Sequence, residues 1–184
     1  MDKTTRTHLD NLHSDDASVR YVAFMYVMGA TAKPVPWAYD VWDDLLELLR
    51  SGDNHQRAIA AQVLSNLAKS DPKNRMVKDL DAVMAVTHDE RFVTARHALL
   101  ATWKIAAAGK KHQQLVVERL AKRFRSCTAE KNCTLIRYDI IKVLRDLYDE
   151  VADERVKEEA LALIATEQDL KYRKKYAGLW KAAS

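Results

Sequence analysis

Apolar residues recur along this chain at three- and four-residue steps, the spacing that puts them on one side of an α-helix. After a short segment near Thr4–His13, Val19, Val22, Ala23, Tyr26, Val27 and Ala30 form one stripe, and Val41, Leu45, Leu48 and Leu49 the next. Further stripes follow: Ile59–Leu67, Met76–Met84, Phe92–Trp103, Val116–Phe124, Ile136–Leu147, Val156–Ile164 and Leu170–Trp180. The pattern therefore predicts ten helices in five pairs. Breaks fall where helix chemistry favours them. Gly29 and the Pro34/Pro36 pair close the first hairpin, Ser51-Gly52-Asp53 reads as a turn with a capping acid, and Gly109 ends the sixth helix. Asp71-Pro72 predicts an N-cap followed by proline at the first helical position.

The pairs repeat. An acid in a polar turn is followed by an arginine about one helical turn into the next segment: Asp16 with Arg20, Asp53 with Arg57, Asp89 with Arg96, Glu130 with Arg137, and Asp169 with Arg173. The arginines stand 37, 39, 41 and 36 residues apart. A period near forty that holds two helices marks a stacked helical-hairpin array.

On these residues the chain resembles the HEAT-repeat family, with Asp16 to Ala23 and the Asp53, Arg57, Ala60, Ala61 set as the nearest matches. The fourth turn departs from the pattern with Glu130-Lys131-Asn132. In the third repeat the arginine comes late, and the proline common in the family's first helices is absent. Armadillo-type stacking therefore stays open. The resemblance implies an all-α fold: a right-handed α-α superhelix, or α-solenoid, of about five HEAT-like hairpins spanning residues 1–184 as one domain. It also implies a concave face that binds partners. One hairpin cannot bury its own apolar stripe, so neighbours must share a core.

Composition fits this picture. Only 4 glycines and 3 prolines are present, too few for the turns of a sheet protein. The amino terminus is polar, and the longest nearly apolar stretch, Tyr21 to Ala32, is too short to span a bilayer. Cys127 and Cys133 are too few for a disulfide framework, so free thiols in a reducing cytoplasm are the expectation. Charge is uneven. Residues 1–90 carry 10 basic and 14 acidic residues, a net of −4, and residues 91–184 carry 20 and 12, a net of +8.

The arginines Arg20, Arg57, Arg96, Arg137 and Arg173 have two readings. Each can tie the turns of the repeat together, or they can line the groove as a row of cations for an acidic partner. Tyr21 and Tyr26 cannot both face the core and can reach the groove, where an exposed pair would anchor a partner. Two basic segments also stand out. Arg119, Lys122 and Arg123 share one helix face by spacing, and Lys171, Lys174 and Lys175 lie among Tyr172, Tyr176 and Trp180. Basic and aromatic content of this kind suits nucleic acid, and a solvated face or a terminal cap is the plain alternative.

A family of bacterial DNA glycosylases for alkylated purines looks like a HEAT array with tryptophans and an acid in a basic groove. Trp103 has no acid one helical turn to either side, so the likeness is architectural. The histidines form no metal-ligand spacing, and no nucleophile or phosphate-loop motif occurs. The sequence thus predicts no catalytic residue, metal or cofactor. It points to a non-enzymatic, cytoplasmic scaffold for a protein partner, with nucleic-acid binding through the basic carboxyl-terminal half as the alternative.

Overall fold

The computed structural model describes residues 1–181. Among these, the regular elements are all helical: α1 (Lys3–Asp10), α2 (Ala17–Ala30), α3 (Ala38–Ser51), α4 (Asn54–Leu67), α5 (Met76–Val86), α6 (Phe92–Ala107), α7 (Lys110–Ser126), α8 (Cys133–Val151), α9 (Glu154–Thr166) and α10 (Leu170–Gly178). No helix among the described residues is long and apolar enough to cross a membrane.

Of the five turn acids, Asp16, Asp53 and Asp169 cap the helix that follows, whereas α6 and α8 start without a side-chain cap from Asp89 or Glu130. The Asp16 carboxylate accepts from the Ser18 and Val19 amides, and Asp169 accepts from the Lys171 and Tyr172 amides. At α4, Asp53 and Gln56 bond reciprocally to each other's backbone, which satisfies two of the orphan amides at that helix start. Asp71 behaves otherwise than its Asp-Pro pairing suggests. α5 begins at Met76, not at Pro72. The Asp71 carboxylate is buried and reaches past the turn to the Met76 amide (2.6 Å) and the Tyr39 hydroxyl. It still serves the start of α5, but from outside the helix.

Contacts follow chain order. α4 packs on α6 and α6 on α8 most broadly, α2 meets α4 and α8 meets α10 over less. On the other side α3 meets α5, α5 meets α7 and α7 meets α9. The buried residues form one continuous cluster from Leu9 to Tyr176, with Trp42, Tyr176 and Phe124 as its largest fully buried members. Tyr176 closes the far end: its ring lies edge-on to Phe124 and its hydroxyl donates to the Thr134 carbonyl at 2.9 Å.

One expectation is corrected. Cys127 and Cys133 are joined as a disulfide rather than free. A 3₁₀ turn at Cys127–Ala129 ends α7 and folds the chain back, so the first residue of α8 returns to within 5.2 Å, Cα to Cα. Sequence spacing alone does not show that reversal.

Candidate functional site: the second-helix face

The repeated arginines sit at the starts of the second helices, and the fold occupies their guanidinium groups. Arg20 is buried and donates to the Ser14 carbonyl (2.6 Å) in the turn before it. Arg57 donates to the Gly52 carbonyl (2.8 Å) and reaches forward to Asp89 in the next turn (2.6 Å). Arg96 grips both oxygens of Asp139 on α8, at 2.6 and 2.9 Å. Arg137 donates to the Phe124 carbonyl (3.1 Å) and to Glu167 (2.8 Å), and its plane lies over the Phe124 ring. Arg173 donates to the Glu167 carbonyl (2.7 Å). Arg57 and Arg137 use two arms, one to a backbone carbonyl before their helix and one to an acid further along the chain; Arg20 and Arg173 make only the first and Arg96 only the second. The acids are sealed in, Asp139 at 1% side-chain exposure and Glu167 at 7%. The Arg57 guanidinium also helps hold the Asp89 carboxyl below its ordinary range, against the opposing effect of burial.

The basic segment on α7 is likewise engaged. Arg123 is 3% exposed and turns inward, bonding Glu130 and the Thr87 carbonyl. Arg119 pairs with Asp81, Arg125 with Glu159 and Lys110 with Asp153. Arg119, Lys122 and Arg123 therefore do not form one solvated face, and Lys122 alone of the three is exposed. Helical spacing could not show this, because the acids that hold Arg119 and Arg123 lie outside α7. A hollow of about 500 Å³ between α7 and α9 is lined by these already paired groups, including Lys110, Arg125 and Glu159. At the other end Lys171, Lys174 and Lys175 are exposed, and Lys175 sits over the Tyr138 ring.

Tyr21 and Tyr26 separate. Tyr26 is half-buried and stacks on His8, with ring centroids 4.1 Å apart. Tyr21 is 63% exposed, and Val22 and Met25 are exposed beside it. Tyr21, Met25 and Met28 fall at i, i+4 and i+7, one side of α2. That apolar strip leads to a cleft of about 490 Å³ at the carboxyl-terminal ends of α2, α4 and α6, lined by Met28, Asn66, Lys69, Trp103, Lys104 and Glu150, among others. Trp37 and Trp42 are buried as core residues, whereas Trp103 is only partly covered and borders this cleft. The acid missing near Trp103 in sequence is brought to the same cleft from α8, as Glu150. Two residues 47 positions apart that line one cleft leave no local signal.

The cleft is built on a buried amide. Thr31 spends its hydroxyl proton on the Val27 carbonyl (2.7 Å), so its oxygen accepts from Asn66 Nδ2 (3.0 Å). Asn66, itself 3% exposed, must then turn Oδ1 outward, where it receives Lys104 Nζ at 2.7 Å. Lys69 Nζ donates to the Ala32 carbonyl at 2.9 Å. Among the described residues neither ammonium forms an ion pair. Burial, reinforced by the nearby Lys69 charge, lowers the pKa of Lys104. Comparison with family models finds no match to this chain, and comparison with curated proteins finds none.

Proposed function

We propose that the five hairpins stack as a right-handed HEAT-like α-solenoid, and that the chain is a non-enzymatic protein-interaction module. Its partner segment lies along the face of the second helices. The in-order packing of α2, α4, α6, α8 and α10 supports the stacking. The observation that carries the function is the exposed Tyr21, Val22 and Met25 strip running through Met28 into the cleft beside Trp103. Apolar side chains grouped this way mark a contact surface, whereas Val93, Leu161 and Leu170 are exposed on separate helices. The repeated arginines belong to the scaffold on this reading, because their donors are already engaged.

Affinity capture with the full chain tests the proposal. The Met25→Asp variant should lose a protein that the unaltered chain retains. A chain that captures only nucleic acid overturns the reading. Lys171, Lys174 and Lys175, which form no ion pair among the described residues, favour a second reading, in which α10 contacts a phosphate backbone. A salt titration separates the two, since log affinity for single strands falls with log salt at about 0.7 per phosphate neutralised. A flat response, or no binding at low salt, removes it.

A further inference from the structure

Two ammonium groups share the cleft without an ion-paired carboxylate, and one of them is held in place by a buried asparagine whose orientation is fixed from behind. Such a group is pre-positioned: little side-chain freedom is left to lose when an anion arrives. Three features decide which anion suits it. Glu150 lines the same cleft, so Lys69, Lys104 and Glu150 together leave a net single positive charge. The carbonyl ends of α2, α4 and α6 converge here, and helix carboxyl termini carry partial negative charge. Both features oppose an anion in proportion to its charge, a single carboxylate least and a dianion or polyanion most. Trp103 and Met28 supply an apolar wall beside the charges, and the wall continues into the Tyr21–Met25 strip.

We propose that this cleft is a subsite for one carboxylate of a bound peptide segment. Lys104 and Lys69 hold the carboxylate, and the neighbouring apolar side chain of the peptide rests on Trp103 and Met28. The inference depends on the protein-interaction reading and gives that partner its chemistry: an apolar residue followed by an acidic side chain or a free carboxyl terminus.

The test is a nuclear magnetic resonance titration of the full chain, read at the Trp103 indole and at the Lys104 side chain. Four probes are used: acetyl-phenylalanyl-aspartyl amide, its neutral asparaginyl counterpart, acetyl-phenylalanyl-glycine with a free carboxylate, and a short oligothymidylate. The two carboxylate probes should move both signals and raise the Lys104 pKa, and the asparaginyl probe should not. The stronger of the two carboxylate probes identifies a side-chain or a terminal source. Lys104→Met should weaken the preferred probe by about tenfold, and Lys69→Met serves as the second variant because it leaves the Asn66 bond intact. Equal binding of the neutral probe, unchanged affinity in both lysine variants, displacement by oligothymidylate, or no shift at either residue would each overturn the subsite. Shifts confined to Tyr21 and Met25 would also remove it while leaving the interaction surface standing.

Discussion

At the amino-terminal end, Arg20 makes one bond, to a carbonyl six residues back, and α2 meets α4 over a small area while Tyr21, Val22 and Met25 face solvent. From α4 onward each repeated arginine up to Arg137 also reaches forward to a shielded acid: Arg57 to Asp89, Arg96 to Asp139 and Arg137 to Glu167. The same sequence mark thus gives two mechanical outcomes. Where the forward acid is bonded, neighbouring hairpins are pinned by a charge-assisted bond as well as by core packing. At Arg20 the charge lies near Asp53 in the next turn and forms no ion pair with it, and there the helix keeps an uncovered apolar side. The difference teaches that the arginine alone is only half of the repeat's fastening, and that the open surface lies where the fastening is incomplete.

The sharpest way to break this comparison is to reverse the forward arm. Arg137→Glu places a carboxylate against the buried Glu167 and removes the bond to the Phe124 carbonyl. Breaking a buried pair by loss of one partner costs about 3–5 kcal/mol, so urea denaturation should show a loss in that range. Arg20→Leu gives up a single neutral acceptor and should cost about 1 kcal/mol. Comparable losses at both sites would erase the distinction between the two ends. A reversed Arg137 that leaves stability unchanged and only weakens partner binding would move these cations from scaffold to recognition surface.

The disulfide gives the next effect. Cys127–Cys133 closes a short loop at the α7–α8 turn, the same turn in which Glu130 holds Arg123. Loop-closure entropy for so few residues is worth about 2 kcal/mol. Addition of a reductant should lower the melting temperature by that equivalent, and the Cys127→Ala/Cys133→Ala double variant should not respond to reductant at all.

A pH scan separates two further contributions. Burial lowers the pKa of His112, with Asp71 opposing and Lys111 adding to the fall. Its folded pKa lies below its unfolded value, so its stabilising contribution is complete above about pH 6.5 and fades as pH falls through the folded value. Asp89 and Glu130 are also depressed, Glu130 chiefly by its bond from Arg123. Their contribution is complete above about pH 4 and is lost below it. The melting temperature should therefore fall in two steps on acidification, and His112→Leu should shrink the first step while sparing the second.

Much of the helical order was legible in the sequence, because apolar spacing and capping acids are local signals. The stripes at Val41–Leu49 and Ile136–Leu147 and the caps at Asp16, Asp53 and Asp169 all correspond to observed helices and helix starts. What escaped is non-local. Asp139 carries no local mark in the sequence, yet it is the buried partner of Arg96, 43 residues away. Spacing puts Arg123 on one helix face with Arg119 and Lys122, and the acid at Glu130 together with the Thr87 carbonyl draws it inward. The cleft was invisible for the same reason: Met28, Asn66, Lys104 and Glu150 sit on four helices and share no motif. Tyr21 was half legible, since spacing showed that it and Tyr26 could not both be buried but not which one would be exposed.

The smallest expected effect on stability tests the surface itself. Met25 and Val27 stand two residues apart on α2, yet Met25 is exposed and Val27 wholly buried. If the outer side of α2 is a free contact surface, Met25→Lys exchanges one solvated side chain for another and should change the unfolding free energy by no more than about 0.5 kcal/mol. Val27→Ala on the inner side removes buried carbon and should cost about 1–3 kcal/mol. The lysine should still abolish partner capture, because a charge is then desolvated in the middle of an apolar contact. A Met25→Lys cost approaching that of Val27→Ala would mean that this side of the helix is already covered in the folded chain, and the strip leading to the cleft would then not be available to any partner.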